Sequence, residues 1–300
     1  MSLKRMAVCL VLLLTGCTNQ GVIETGAKKS VLKDADVELI SVLPSVIQET
    51  SGLAKHDNVL WTINDSGDDA VVYALSDTQD ILKQVKIAGA LNRDWESLAH
   101  DAKYLYIADC GNNRGHRSTI EIYKVLWSDL KKAQSNASVE STRLNIEYGD
   151  YVGVKHRDHN FDCEALTVVE GELWLFTKNR GDERTNLYRI DPQMSHQVIS
   201  AEASFPVDGL ITAVDYDAAH KRLALLGYAK NKLFGQSFVW IVSVDSEIDW
   251  DSAVRYKLHP YAQWEALIWQ GGDQGKTLLL SSERSPLLDV SLGRLSLPEL

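Results

Sequence analysis

Five short segments decide the fold: Thr50-Ser51-Gly52-Leu53-Ala54, Asp94-Trp95-Glu96-Ser97-Leu98-Ala99, Asp162-Cys163-Glu164-Ala165-Leu166, Ile211-Thr212-Ala213-Val214 and Gln263-Trp264-Glu265-Ala266-Leu267. They align as one repeated element, and a repeat of this period is the signature of a propeller or solenoid. Measured between Leu53, Leu98, Leu166, Val214 and Leu267, the spacings are 45, 68, 48 and 53 residues. The long interval carries two polar stretches, Ser128–Ser141 and Gly149–Asn160, which read as loop insertions.

Outward from each segment the pattern continues. A β-rich run follows at Val59–Asn64, Tyr104–Asp109, Glu172–Lys178, Arg222–Tyr228 and Thr277–Glu283. A third comes at Val71–Leu75, Ile120–Val125, Asn186–Ile190, Phe238–Val244 and Leu287–Leu295. A fourth, outer run is legible at Ile81–Ala88, Thr142–Tyr148, Val198–Ala203 and Ala253–Leu258, but the last unit ends at Leu300 without one. Val37–Leu43, upstream of the first repeat, is a spare strand of the right kind. Pairing it with the last unit removes an open sheet edge. The expectation is therefore an all-β, five-bladed β-propeller closed by that N-terminal strand, with a six-bladed ring and a β-sandwich as the competing readings. The propeller domain is expected over residues 36–300.

The first 16 residues read as an export signal: Lys4 and Arg5, an apolar stretch from Met6 to Leu14, then small residues. That stretch falls short of the roughly 20 residues that span a bilayer. Leu14-Thr15-Gly16-Cys17 resembles a bacterial lipobox, which implies a diacylated Cys17 as the mature N-terminus. Thr18 stands where an Asp would hold such a protein at the inner membrane, so the resemblance implies an outer-membrane anchor with the domain in the periplasm or at the cell surface. Residues 17–35 are polar and without apolar period, and are expected to be a flexible tether.

The composition, 45% apolar and 24% charged over 300 residues, is that of a globular chain. Lys and Arg total 31 against 41 Asp and Glu; without residues 1–16 the net charge is −12. An acidic chain with no basic run lacks the footprint of a nucleic-acid binder. No Gly-rich phosphate loop, G-x-S-x-G elbow or H-E-x-x-H helix occurs, so a nucleophile-based hydrolase has no support in the sequence.

In a propeller the inner strand starts and the second strand ends on one face. That rule gathers Glu96, Glu164 and Glu265, with Ser51 and Ala213 in the equivalent slots, toward one mouth of the central channel. Asp65, Asp109 and Glu283, at or just past second-strand ends, are expected near the same rim. Like charges at a narrow axis raise one another's pKa and call for protons, basic partners or a cation. Oxygen-only ligands suit Ca²⁺ or Mg²⁺ better than zinc. The structural alternative is that each Glu accepts backbone N–H bonds from the next blade. His156-Arg157-Asp158-His159 reads as solvated loop, with a lid over the mouth as the functional alternative. Cys110 ends a second strand and Cys163 starts the neighbouring inner strand on the same face, so the two are expected to form a disulfide.

Asn64-Asp65-Ser66-Gly67, Asp94-Trp95-Glu96, Asp109-Cys110-Gly111-Asn112-Asn113, Asp162-Cys163-Glu164-Ala165-Leu166 and Thr177-Lys178 together resemble a group of exported bacterial propellers. There the order N-D-S-G, D-W-E, D-I-G-D-N, D-A-E-A-L, T-K recurs. The group is similar to the SdiA-regulated and phytase-like five-bladed propellers; calcium-dependent propeller lactonases and phytases are a more distant likeness. Here Cys110 replaces an apolar residue, Asn112 an acidic one and Cys163 an Ala. The loss of a carboxylate at Asn112 weakens the metal reading carried by the resemblance; the paired cysteines favour the disulfide. The function expected is a monomeric envelope lipoprotein binding a small polar ligand or an envelope protein at an acidic mouth, with Ca²⁺ as the candidate ion. The alternatives are a metal-dependent hydrolase of phosphoester or lactone type and an envelope assembly scaffold.

Overall fold

The computed structural model describes residues 22–24, 31–154, 156–229, 235–272, 275–285, 288–297 and 299–300. The export signal (1–16) and the lipidation residue Cys17 lie outside these residues.

Four sheets hold all the strands of the described residues. The first runs from β3 (Thr50–His56) through β4 (Val59–Asn64) and β5 (Val71–Leu75) to β6 (Ile81–Ala88). The second runs from β7 (Trp95–His100) through β8 (Tyr104–Asp109) and β9 (Thr119–Leu126) to β11 (Thr142–Tyr148). Its loop insertion carries a short helix, α1 (Trp127–Lys132), and a strand, β10 (Ser138–Glu140). The third joins β12 (Cys163–Val169), β13 (Glu172–Thr177), β14 (Thr185–Ile190) and β16 (Ala203–Phe205), with β15 (His196–Ile199) in the connection before β16.

The fourth sheet has eight strands and consists of two meanders side by side. One is β17 (Leu210–Asp217), β18 (Arg222–Tyr228), β19 (Ser237–Val244) and β20 (Ile248–His259). The other is β21 (Trp264–Trp269), β22 (Thr277–Ser282), β23 (Ser291–Ser296) and the N-terminal strand β2 (Val31–Val42). Residues 37–42 of β2 pair antiparallel with β23, Val37 opposite Leu295, which is the pairing the spare strand called for. The strand begins earlier than 37, however. Val31–Asp36 pair in parallel with β20, and this register joins the two meanders. The segment expected to be a tether thus contributes strand from Val31 on, and β1 (Ile23–Glu24) pairs in parallel with β16.

The burial pattern follows the position of each strand. Inner and middle strands are covered on both faces, so β5 is buried at every residue and shows no alternation. Outer strands keep one wet face, and Thr142–Tyr148 alternates accordingly. The outer run read at Val198–Ala203 is divided: His196–Ile199 pairs with β11 of the second sheet, and only Ala203–Phe205 belongs to its own. Likewise β10 caps β6. These parallel additions cover edges that would otherwise offer open hydrogen-bonding groups.

The innermost strands close a ring. β3 packs on β7, β7 on β12, β12 on β17, β17 on β21, and β21 returns to β3. Apolar side chains collect in five clusters between successive meanders, one built around Trp61, Trp95 and Trp127, another around Tyr188, Leu173 and Ile122.

Candidate functional site

Each innermost strand carries one extra residue against its partner, a β-bulge near its start. The register shifts fall between Thr50 and Gly52, Trp95 and Ser97, Cys163 and Ala165, Ile211 and Ala213, and Trp264 and Ala266. The bulged residues are therefore Ser51, Glu96, Glu164, Thr212 and Glu265. A bulge re-aims the side chain it carries. The fourth slot belongs to Thr212, not to Ala213 as the alignment suggested.

The five slots divide by chemistry. The Ser51 hydroxyl donates to the Trp95 carbonyl at 2.6 Å, and the Thr212 hydroxyl to the Trp264 carbonyl at 3.0 Å. These two tie one inner strand to the next, the role the structural alternative gave to the glutamates. The three glutamates are buried, each under a tenth exposed. Burial pushes Glu96 and Glu164 well above the ordinary carboxylate range and raises Glu265 too. Glu96 is raised further by Glu164, Asp65, Asp94 and Asp162, so the acids do converge on one mouth.

Around Glu164 the charge is answered. Lys178, just past the end of β13, places its ammonium 3.1 Å from the Glu164 carboxylate, both side chains buried. Burial works to deprotonate Lys178, but Glu164 and Glu265 beside it raise its pKa well above the usual lysine range. Its ammonium also lies 5.3 Å from the centre of the Tyr228 ring. Arg180 pairs with Asp162 and comes within 4.0 Å of Glu164. Asp162 also accepts the Asn112 N–H at 2.6 Å.

Around Glu96 it is not. Asp65, Asp94 and Glu96 each place a carboxylate oxygen within 4.8 Å of the others. Among the described residues no basic side chain lies within 4 Å of any of the three. Burial, then the charges of Asp94, Glu49 and Glu265, push Asp65 up to about 7. Burial, then Asp162, raises Asp94 against the longer-range pull of the Arg117 guanidinium. Glu283 stands nearby and is pushed up to about 8 by burial and by Glu265 and Asp65. The backbone makes room for this crowding at Gly111: a Cβ there would fall onto the carboxylates of Asp94 and Glu96. The N–H groups of Cys110 and Gly111 both hold the Asp94 carbonyl, at 3.0 and 3.1 Å.

Asp109 occupies a different position. Its fully buried carboxylate is held by Arg117 at 3.0 Å, and burial raises its pKa against that pull. It supports the wall behind Asp94 and is not one of the three clustered acids. Cys110 and Cys163 form a buried disulfide with a Cα–Cα distance of 5.4 Å. It joins the Gly111 backbone on one side of the mouth to the Asp162–Glu164 segment on the other.

The sequence places Lys178 and Arg180 at the mouth, in the loop after a second strand, without giving them a role, and does not single out Asp94 or Asp162 as site residues. The signal was present for the two acids: Asp94-Trp95-Glu96 and Asp162-Cys163-Glu164 repeat an Asp two residues before the Glu. The two bases had no such repeat to announce them.

Comparison with solved structures bears on this architecture. A PQQ-bound aldose sugar dehydrogenase from Streptomyces coelicolor matches over 87% of this chain and 97% of its own, at 11% identity and a TM-score of 0.52. The fold is a β-propeller. Regucalcin from Agrobacterium tumefaciens, a calcium-binding protein, matches over 89% of this chain and 97% of its own, at 10% identity and a TM-score of 0.47. At such identities the likeness concerns the chain path of the propeller and not its activity. No family model and no curated protein matches the sequence.

Proposed function

We propose that the chain is a five-bladed propeller, exported and anchored through a lipidated Cys17, whose acidic mouth binds a small polar ligand through a divalent cation. The five bulged inner strands, the five interblade clusters and the pairing of β2 with β23 support the blade count. The lipobox resemblance supports the anchor and an outer-membrane address. One observation carries the ligand reading: three carboxylate oxygens, from Asp65, Asp94 and Glu96, meet within 4.8 Å, and among the described residues no basic side chain lies within 4 Å of them, Arg117 acting on Asp94 only from farther off. Hard oxygen donors favour Ca²⁺, which takes six to eight oxygen ligands. Three protein carboxylates leave positions for water and for the hydroxyl, carboxylate or phosphate oxygens of a ligand.

Calorimetric titration with CaCl₂ and thermal melting with and without chelator test this. Saturating Ca²⁺, at about 100 times its Kd, adds about 2.7 kcal/mol of stability. Glu96→Gln and Asp94→Asn each remove a ligand and relieve repulsion. Both are expected to melt above the wild type in chelator and to lose the response to Ca²⁺. A chelated wild type that melts at the same temperature as the calcium-loaded protein overturns the reading.

Hydrolysis of a phosphoester or lactone is the second reading, and Glu283 favours it. With its pKa near 8 beside the cluster, it is largely protonated at neutral pH and is suited to pass a proton to or from a reacting group. A Glu283→Gln variant that binds Ca²⁺ normally but loses turnover of such substrates distinguishes hydrolysis from binding.

A further inference from the structure

Among the described residues nine large apolar side chains stand exposed, and single ones need no explanation. Four of them, however, flank two consecutive outer strands. Met194 and Val198, 50% and 61% exposed, lie just before β15 and on it. Val152, the most exposed of the nine, follows β11, the parallel partner of β15. The two strands meet closely there: a Cβ on Gly149 would come 2.9 Å from the Val198 side chain. Val22 immediately precedes β1, whose Ile23 stands opposite Ala203 of β16. β15 and β1 are the outermost strands of the second and third sheets, so these side chains lie on the side wall of the ring and not at either end of its channel.

Covalent geometry supplies a second, independent observation. Five residues, Thr18 to Val22, separate Cys17 from β1. A chain spans at most about 3.6 Å per residue, so Cys17 lies within about 22 Å of the Ile23 backbone. The segment read as a long tether is thus a short one, and a lipid on Cys17 holds this wall at the membrane. A linker so short keeps its two ends at a local concentration in the millimolar range. Apolar contacts too weak to hold a free domain then suffice. The charge on the wall selects the kind of surface. Glu147, opposite Val198, and Asp191, three residues before Met194, are exposed among the apolar side chains. Anionic headgroups would be repelled there, and zwitterionic ones would not.

We propose that the wall formed by β15, β16 and β1, with Met194, Val198, Val152 and Val22, docks edge-on against the zwitterionic bilayer that holds Cys17; the inference rests on the anchored reading of Cys17 given above. Edge-on docking leaves the acidic mouth open to water beside the membrane.

The chain from Cys17 to Leu300 has one methionine, Met194, and its other two cysteines are joined in the buried disulfide. Coupling Cys17 to a maleimide lipid in phosphatidylcholine vesicles therefore anchors the chain at one point, and hydroxyl-radical footprinting reads Met194 in place. Its oxidation is expected to fall about fivefold relative to the uncoupled chain, with Leu82, exposed on β6 of the first sheet, unchanged. Val152→Asp with Val198→Asp is expected to restore the uncoupled rate. Should that pair not fold, about thirty Gly and Ser residues inserted after Thr18 lower the local concentration about tenfold and restore the rate without touching the domain. Oxidation of Met194 as fast on vesicles as in solution overturns the proposal, as does equal protection of Leu82. Stronger protection on phosphatidylglycerol-rich vesicles makes the contact electrostatic and overturns it. Protection already present in the uncoupled chain at high concentration assigns the wall to a second copy and overturns it too. In cells, a Cys17 without diacylglycerol overturns the anchor and the docking with it, whereas failure to dock on the synthetic lipid overturns the docking alone.

Discussion

The two halves of the acidic mouth are built from the same repeat and meet opposite electrostatic fates. At Asp162-Cys163-Glu164 the acids lie against Lys178 and Arg180, and the buried charges close into a network. At Asp94-Trp95-Glu96 the same spacing of acids faces Asp65 instead, so protonation or an added cation must do what the bases do opposite. The difference lies in the loops around each slot. After β13, the partner of β12, the chain turns through Lys178-Asn179-Arg180, whereas after β8, the partner of β7, it turns through Cys110-Gly111-Asn112, and the loop after β4 of the preceding meander brings in Asp65. A repeated backbone slot thus sets where a carboxylate points, and the loops beside it set whether it is a strut or a ligand.

The disulfide spans the seam between these halves, and its removal is predicted to have the largest effect. Cys110→Ser with Cys163→Ser opens a loop of 53 residues. By the entropy of the unfolded chain this costs about 4 kcal/mol, read from denaturant unfolding. A cost under about 1 kcal/mol would mean that the halves are held in place without it.

Next is Lys178→Met, which leaves Glu164 buried without its partner. Breaking a buried pair from one side costs about 3 kcal/mol or more. The matching change on the other side, Glu96→Gln, is predicted to stabilise the calcium-free protein. If both substitutions move stability in the same direction, the contrast between the halves is lost.

The pH dependence of the calcium-free chain sharpens the same contrast. Asp65 and Glu283 have pKa values raised on folding, to about 7 and about 8. The folded state therefore binds more protons than the unfolded one above pH 4, and stability falls as pH rises. The fall is expected to level off above about pH 7 for Asp65 and above about pH 8 for Glu283. Ca²⁺ should flatten it, because the ion favours the ionised carboxylates. Melting curves from pH 5 to 9 that rise in chelator would contradict the assignment of uncompensated acids.

The smallest effect is predicted at the uncharged slots. Ser51→Ala removes one buried hydroxyl and leaves the Trp95 carbonyl short of a donor. The expected loss is about 1 kcal/mol, with calcium affinity unchanged. A change in calcium affinity would show that Ser51 belongs to the ion site and not to the interblade tie.

Much of the fold was legible because strand order is written locally. Val59–Asn64, Tyr104–Asp109, Val71–Leu75 and Thr142–Tyr148 have the bounds that their apolar runs gave. The misplaced pieces are those whose partners are remote. Val31–Asp36 is polar and aperiodic, and becomes strand only because the edge of β20 offers it hydrogen bonds. His196–Ile199 joins a sheet that precedes it in the chain. Thr212 was mistaken for a neighbour of the slot because a bulge shifts the register by one, and no residue type announces a bulge.

By itself the sequence determined the repeat, the strands, the closing role of the N-terminal segment and the meeting of Glu96, Glu164 and Glu265 at one mouth. Those follow from side-chain period and repeat order, which are properties of neighbours along the chain. Only the tertiary structure decided that Lys178 and Arg180 answer one group of acids and leave Asp65, Asp94 and Glu96 to one another. Charge balance at a closed ring depends on distances of a few ångströms between residues of different blades, and chain order does not encode those distances.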